Sequence, residues 1–91
     1  MLPSTTLAMN FPDSTAIARG AYRPRERTLD LWWRTHPDDR AGRLYSYFEV
    51  PSDLWRELLS AHSAGASVGE FANRRIKPFY RYEPAEPEPW R

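Results

Sequence analysis

The sequence contains no cysteine, only four glycines, and only one lysine among its 13 basic residues. Without cysteine there can be no disulfide framework, thiolate metal site or thiol chemistry, and this absence is typical of proteins kept in a reducing cytoplasm. The few glycines form no glycine-rich phosphate-binding loop. No stretch approaches the roughly 20 apolar residues that cross a bilayer, and the first residues lack the basic and apolar regions of a signal peptide. These absences predict a cytoplasmic protein with no membrane span.

The sequence is instead rich in aromatic residues and arginine. The 91 residues include four tryptophans and five tyrosines, and 12 of the 13 basic residues are arginine. Aromatic rings provide large contact area at little rotamer cost, and the planar guanidinium suits phosphate, carboxylate and stacked rings. A genome that favours arginine codons is the plain alternative for the second feature. The length predicts one domain with one core and one binding face.

The net charge of +1 is distributed unevenly along the chain. Residues 83–91 hold three glutamates and one arginine, which leaves a net charge of +3 on residues 1–82. Repeated prolines make residues 83–91 an acidic tail that favours extended polyproline II conformation. Residues 1–12 show neither helical nor strand periodicity and are predicted to form a flexible N-terminal arm. The folded domain is therefore predicted to span residues 13–82.

Apolar periodicity within this domain predicts an α+β fold. Alternation predicts strands at residues 15–22, 28–34 and 43–50, and helical spacing predicts helices at residues 51–62 and 68–76. Ser67 and Glu70 have the spacing of a capping box at the start of the second helix. The expected architecture is a three-stranded antiparallel meander packed by one longer and one shorter helix. Residues 78–82 are expected to add a short edge strand near the C-terminus.

Two tyrosines in the third predicted strand form a candidate binding pair. Tyr45 and Tyr47 are two positions apart, so both rings stand on one face of the sheet about 7 Å from each other. Successive unstacked bases could rest on such rings, and Arg43 on the same face could pair with phosphate. The other face of the strand is more apolar and is favoured as the core face: Leu44, Phe48 and Val50. The alternative is that the tyrosines pack beneath a helix.

A second candidate surface follows the second predicted helix, where no acidic residue occurs from position 71 to 82. Basic and aromatic side chains alternate there in a composition typical of a single-stranded nucleic-acid surface. The candidates are Arg74, Arg75, Lys77, Tyr80 and Arg81. The alternative is a solvated helix end, where cations interact favourably with the helix dipole.

The sequence contains few residues in arrangements typical of a catalytic site. His36 and His62 have no partner at metal-ligand spacing, and Asp38 and Asp39 are turn neighbours whose carboxylates are expected to point apart. Ser67 is assigned to the helix cap. The sequence therefore predicts no enzyme activity, no metal site and no cofactor.

Several segments occur in an order that resembles a known family. These are the Thr28–Trp33 strand, the Tyr45-x-Tyr47 pair, the Val50-Pro51 helix start and the Asn73-x-x-Ile76 motif. Together they resemble the KTSC domain, which is named for its occurrence at the C-terminus of some lysyl-tRNA synthetases and also occurs as a stand-alone bacterial or phage protein. The resemblance covers about residues 13–82. It implies this small fold, and the synthetase context implies RNA binding.

The sequence thus predicts a small non-catalytic binding module with two alternative kinds of partner. The first is RNA, bound through the aromatic and basic side chains named above. The second is another protein. In that case this chain is a phage- or plasmid-type adaptor or inhibitor that binds its partner through Trp32 and Trp90. Binding that weakens steeply with salt would distinguish RNA from a protein partner.

Overall fold

A computed structural model describes residues 5–85 as a five-stranded antiparallel sheet with two helices. The strands are β1 (Leu7–Asn10), β2 (Ile17–Arg23), β3 (Thr28–Trp33), β4 (Arg43–Tyr47) and β5 (Tyr82–Pro84). Helices α1 (Ser52–Ser63) and α2 (Val68–Arg75) lie between β4 and β5 in the chain. Strand order in the sheet follows chain order, and every neighbouring pair is antiparallel. The predicted α+β class is confirmed, with five strands where three were expected.

Both additional strands lie at the edges of the predicted meander. β1 falls within the predicted N-terminal arm and pairs with β2, so that Leu7 lies opposite Tyr22. Its four residues are too short a run for periodicity to reveal. The predicted C-terminal edge strand exists, but it begins at Tyr82 because turns occupy residues 76–79. One of these turns is closed by the bond from the Phe79 N–H to the Ile76 carbonyl, at 3.1 Å.

The helices cover only one face of the sheet, and strand register decides which side chains lie beneath them. Leu29 pairs with Tyr22 on one side and with Tyr47 on the other, so these three side chains form a row across the core face. All three are at most 1% exposed. The helices add Leu54, Trp55, Leu58, Val68 and Ala72 to the same core.

The predicted core face of β4 was wrong. Tyr45 and Tyr47 lie on the helix side, whereas Leu44 pairs with Trp32 on the opposite face. Val50 is fully buried as expected, but it does not belong to the strand. The chain turns at Glu49, whose φ is +58°, and this turn breaks the alternation that had linked Val50 to Leu44.

Local sequence signals explain how each helix begins. Pro51 precedes α1 with an extended backbone, and the Ser67 hydroxyl accepts a hydrogen bond from the Glu70 N–H at 3.1 Å, which confirms the predicted cap of α2. On α1, Trp55 stacks on Tyr22 with ring centroids 6.1 Å apart. In the described range, residues 5–85, neither helix has the length and apolar character needed to cross a membrane.

Replacing Gly69 by alanine is expected to destabilise the fold. A Cβ at Gly69 would lie 2.6 Å from the Cβ of Ala16, so α2 would have to move away from the segment before β2. Overpacking of this kind costs about 1–3 kcal/mol, and a contact as short as 2.6 Å between two Cβ atoms favours the upper part of this range, above the gain of about 1 kcal/mol from the higher helix propensity of alanine. Urea unfolding of Gly69→Ala measures the net loss.

Two further variants test this explanation. Asn73→Ala changes an exposed position of the same helix and should leave stability unchanged or slightly higher. Ala16→Gly should recover part of the loss in the Gly69→Ala background, because it removes the methyl group that clashes. A Gly69→Ala protein as stable as the wild type would contradict the close contact.

Candidate functional site

Two recesses lie at the β4–β5 side of the sheet and share the side chain of Tyr45. The smaller, about 210 Å³, is here called the aromatic cleft and is lined by Trp33, Tyr45, Tyr47, Lys77 and Tyr82. The larger, about 710 Å³, is called the edge groove and is lined by Trp32, Thr35, Asp39, Gly42, Arg43, Leu44, Tyr45, Pro84 and Ala85. Tyr45 therefore borders both recesses.

The aromatic cleft is built by three adjacent strands, each of which contributes rings. The indole N–H of Trp33 on β3 donates a hydrogen bond to the phenolic oxygen of Tyr47 on β4, at 3.0 Å. Tyr82 on β5 completes the cluster, with its ring centroid 5.8 Å from that of Tyr45 and 5.5 Å from that of Tyr47. Tyr47 is 1% exposed and Tyr82 is 47% exposed. Tyr47 thus forms the floor of the cleft, while Tyr82 stands at its mouth.

The environment of Tyr47 keeps its phenol neutral at physiological pH. Burial is the main cause that raises the pKa of Tyr47 to about 12; the hydrogen bond from Trp33 opposes it, and the neighbouring Tyr82 and Tyr45 add to it. The floor of the cleft therefore offers a neutral hydroxyl near pH 7.

Lys77 brings positive charge to the cleft. Its ammonium nitrogen lies 4.9 Å from the ring centroid of Trp33, which is within the range of a cation–π interaction. Lys77 follows α2, whereas Tyr45 and Tyr47 lie on β4. The fold therefore unites one member of the predicted basic stretch with the predicted tyrosine pair.

The wall of the edge groove is a loop organised by one carboxylate. One oxygen of Asp39 accepts hydrogen bonds from the N–H and hydroxyl of Thr35 at 3.0 and 3.1 Å, and the other accepts from the N–H groups of Ala41 and Gly42 at 3.2 and 3.0 Å. The Thr35 and Gly42 N–H groups contribute most to holding the pKa of Asp39 at about 2. Asp39 is thus charged at neutral pH and occupied by its own loop.

Gly42 is required where this loop meets β4. Its φ is +76°, and a Cβ at this position would lie 2.9 Å from the backbone carbonyl carbon of Trp32. Both the conformation and the close approach favour glycine. The loop is therefore pressed against the strand that carries Trp32.

Arg34 anchors the same loop from the other side. Its guanidinium donates to the backbone carbonyl of Asp39 at 2.5 Å, that of Ser14 at 2.8 Å and that of Phe11 at 3.2 Å. These bonds join the β3–β4 loop to the segment between β1 and β2. The groove wall is consequently tied to the segment that leads into β2.

The edge groove combines aromatic walls with an exposed cation. Trp32 and Tyr45 are half-buried, and Arg43 is exposed. The guanidinium carbon of Arg19 lies 5.1 Å from the ring centroid of Trp32, which adds a second cation next to the groove. This arrangement suits a planar group or a proline ring bearing nearby negative charge.

The other predicted site residues lie away from both recesses. Arg74 is exposed on α2, and Arg75 forms an ion pair with Glu57 at 2.7 Å. Arg81 lies 4.9 Å from the ring of Phe48, in a separate depression that also includes Tyr80. Of the predicted basic stretch, only Lys77 therefore lines a recess together with the tyrosines. Trp90, proposed as a protein anchor, lies outside the described residues.

Trp33 and Tyr82 are site residues that the sequence reasoning missed. Trp33 alternates with Leu29 and Leu31, so its pattern was that of a core residue. Tyr82 was placed at the end of the predicted edge strand without a partner, because periodicity does not give the β4–β5 register. Across residues 5–85, no group of three or more metal-ligating side chains is placed to hold a metal ion.

Comparison with known proteins identifies the family of the chain. The family model of the KTSC domain matches residues 13–82. The chain belongs to the KTSC domain family. A protein of Tsukamurella paurometabola is 35% identical over 69 residues, which are 76% of this chain and 88% of that protein.

A solved structure shows the same fold. The crystal structure of a KTSC domain protein from Yersinia pestis superposes with a TM-score of 0.72 at 23% sequence identity, and the match covers 90% of this chain and all of that one. The family range contains all the lining residues of the aromatic cleft. Strand β1 and the groove residues Pro84 and Ala85 lie outside it. The cleft thus belongs to the KTSC domain proper, and part of the groove is added by flanking segments.

Removing the Tyr47 hydroxyl should destabilise this KTSC domain in a pH-dependent manner. Tyr47→Phe leaves the Trp33 N–H without its acceptor and should cost about 0.5–1.5 kcal/mol near neutral pH. As pH rises from about 10, an unfolded tyrosine ionises, whereas the folded Tyr47 stays neutral to about pH 12. The wild type therefore loses stability across this window through Tyr47 and the variant does not, so the stability gap should narrow above pH 10.

Urea unfolding at several pH values measures this gap. Tyr82→Phe is the matched control, because Tyr82 lies in the same cleft but its hydroxyl accepts no hydrogen bond from Trp33. A gap that stays constant from pH 8 to pH 11 would show that Tyr47 ionises equally easily in the folded and unfolded states.

Proposed function

We propose that this KTSC domain is a non-catalytic module that binds single-stranded RNA at the edge of its sheet. The observation that carries the proposal is the position of Tyr45, which separates two recesses that both have aromatic walls. Single-stranded nucleic acids are bound by rings on which successive bases stack, next to cations that pair with the phosphates. One side chain bordering two recesses supports the binding of two consecutive nucleotides.

The sizes of the two recesses support the binding of one base in each. The edge groove, at about 710 Å³, falls within the range of small-molecule sites and can take a nucleoside. The aromatic cleft, at about 210 Å³, lies below that range and suits a single planar group. In this arrangement one base rests at the mouth of the cleft against the exposed ring of Tyr82, and the next lies in the groove beside Tyr45 and Trp32. Stacking of this kind contributes roughly 1–3 kcal/mol per base.

Two cations flank the rings and are available to phosphate. Within residues 5–85, neither Arg43 nor Lys77 takes part in an ion pair, whereas Arg75 is paired with Glu57. Two phosphate contacts on a single strand predict a slope of about −1.4 in the logarithm of affinity against the logarithm of salt concentration. Binding should therefore depend on salt, but less steeply than in strongly basic nucleic-acid-binding proteins.

Family context supports RNA as the nucleic acid. The resemblance to a domain that occurs in lysyl-tRNA synthetases connects the fold with RNA, and the two relatives described above come from bacteria. The lack of cysteine supports a cytoplasmic site of action. We propose a stand-alone bacterial or phage form of the domain that works in that compartment.

Replacing Tyr45 by alanine should weaken RNA binding by about tenfold or more, because the stacking surface of both recesses is lost. The measurement is a titration of the isotope-labelled domain with a short single-stranded RNA of mixed sequence, followed by NMR at two salt concentrations. Signals of Trp32, Trp33, Arg43 and Lys77 should shift, and less so at the higher concentration.

Phe79→Ala is the matched control. Phe79 is 71% exposed and lines neither recess, so its loss removes an aromatic ring without affecting the proposed site. A spectrum that RNA leaves unchanged at low salt would contradict the proposal. Equal weakening by Tyr45→Ala and Phe79→Ala would contradict this location of the site.

The exposure of Phe79 favours a second candidate function, which is binding of a protein partner. Phe79 adjoins a depression of about 270 Å³ lined also by Phe48, Glu49, Tyr80 and Arg81. Exposed aromatic side chains with adjacent arginine are enriched at the centres of protein interfaces. If the partner is a protein, binding should persist in moderate salt and be lost in Phe79→Ala or Trp32→Ala. Calorimetry with a partner captured by affinity purification separates this result from RNA binding.

A further inference from the structure

The sheet has two edge strands, β1 and β5, whose sequences differ in kind. β5 contains Glu83 and Pro84, and charge and proline are features that keep an edge strand from pairing with another chain. Residues 5–12, which include β1, contain no charged residue, and the one proline among them follows the strand. All four residues of β1 are exposed. An uncharged, exposed edge of this kind is a template for pairing with a further strand.

Hydrogen bonding to β2 decides which backbone groups of β1 point outward. The Phe11 N–H donates to the Ala18 carbonyl at 3.0 Å, in the same register that pairs β1 with β2. Bonded and non-bonded residue pairs alternate along an antiparallel ladder. The odd-numbered residues of β1 therefore bond to β2, whereas Ala8 and Asn10 direct their N–H and C=O groups away from it. In the described part of the chain, β1 has no other neighbouring strand.

The same rule gives a different result at β5. The Ala85 N–H donates to the Leu44 carbonyl at 2.9 Å, so Pro84, one position earlier, directs its backbone nitrogen outward. Proline has no N–H, and the outer edge of β5 therefore lacks a donor at this position. β1 has both a donor and an acceptor at each of its outward positions.

The outward groups of β1 are complementary to those of a second copy. Two antiparallel β1 strands related by a two-fold axis at Ala8 form hydrogen bonds between the two Ala8 residues, and between Thr6 of one copy and Asn10 of the other. With the axis perpendicular to the sheet, the helices of both copies lie on the same side. On that side Leu7 of one copy lies opposite Met9 of the other. These two side chains are 41% and 37% exposed in the single chain, and the pairing covers them.

The arginines on β2, the strand next to β1, are engaged away from this edge. Arg19 lies opposite Asn10, but its guanidinium carbon is 5.1 Å from the ring centroid of Trp32 on β3. Arg23 forms an ion pair with Asp30, also on β3, at 3.2 Å. Two copies can therefore approach along β1 without bringing these like charges together.

We propose that two copies of this chain pair through β1, in the register centred on Ala8, to form one continuous ten-stranded sheet. β1 has four residues, far fewer than the roughly 20–30 residues that each partner contributes to a standard interface. The dimer therefore forms reversibly and dissociates on dilution. The family model matches residues 13–82, so this pairing is a property of the segment that precedes the KTSC domain in this chain.

Pairing through β1 places the two candidate RNA sites at opposite ends of the joined sheet. Seven strand spacings of about 4.8 Å separate the two β4 strands, so the sites are about 34 Å apart. Both aromatic clefts open on the helix side. A single-stranded RNA long enough to span this distance would be bound at both sites and gain affinity from the linkage. This consequence rests on the proposed function, whereas the pairing does not.

Single cysteines test the register, because the chain has no cysteine of its own. In the proposed register the Cα atoms of the two Ala8 residues are about 5.5 Å apart, which suits a disulfide. The two Asn10 residues are offset by four positions, about 14 Å, which a disulfide cannot span. With oxidised glutathione as the oxidant, Ala8→Cys should form a disulfide-linked dimer roughly ten times faster or more than Asn10→Cys. Equal rates in the two variants would overturn the proposed register.

Sedimentation equilibrium of the full chain over a series of concentrations measures the pairing itself. The average mass should rise from 10.7 kDa towards twice that value as the concentration increases. Ala8→Pro removes an outward N–H and no bond to β2, so this variant should fold and remain a monomer. Ala8→Ser is the matched control, because it keeps the N–H and should associate like the wild type.

Two results of this measurement would overturn the proposal. The first is a wild type that stays monomeric at every concentration, which would leave the β1 edge to a strand of a different protein. The second is an Ala8→Pro variant that associates as strongly as the wild type, since another surface would then hold the copies together.

Titrations with a short and a long single-stranded RNA separate this proposal from the proposed function. If both are correct, Ala8→Pro binds the short RNA like the wild type but binds the long RNA several-fold more weakly. If the RNA proposal alone fails, the mass still rises with concentration and neither RNA binds. If the pairing alone fails, the wild type stays monomeric and binds each RNA as Ala8→Pro does.

Discussion

The hydrogen bond between the Trp33 indole and the Tyr47 phenol allows the sheet to carry large polar-tipped rings beneath its helices. Each group satisfies the other, so Tyr47 is almost completely buried without an unpaired hydroxyl. Tyr82 packs against Tyr47, and β5 is therefore held by ring contact as well as by strand pairing. The ring of Trp33 in turn interacts with the ammonium group of Lys77. The floor, the mouth and the charge of the aromatic cleft all depend on this pair.

The two tyrosines of the Tyr-x-Tyr motif have different physical roles despite sharing a face. Tyr47 lies opposite Leu29 in the centre of the core, and Tyr45 lies opposite Leu31 nearer the open end of the sheet. Because of these positions along one strand, Tyr47 is a buried structural residue, whereas Tyr45 is half-buried and lies between the two recesses. A binding function carried by Tyr45 is consequently supported by the stability that Tyr47 contributes.

Local signals in the sequence were sufficient to predict most of the fold but only part of the candidate site. The Ser67 cap and the apolar stripe of α1 act over a few residues, and for this reason both helices were predictable. The face of β4 was not predictable, because the left-handed turn at Glu49 separates Val50 from the strand to which its alternation had assigned it. The placement of Lys77 in the same cleft as Tyr45 depends on tertiary packing after two intervening helices, and no periodicity in the sequence encodes it.

Strand β5 is short and exposed, and both helices separate it in the chain from β4, its partner in the sheet. An edge of this kind opens at a lower free energy than the core, so it can detach while the remaining four strands stay folded. Detachment would remove Tyr82 from the cleft and Pro84 from the groove, leaving two incomplete recesses. Closure of the strand and occupation of the recesses are therefore thermodynamically linked. Any ligand that requires the closed form stabilises β5 by the same factor by which closure of β5 increases the affinity for that ligand.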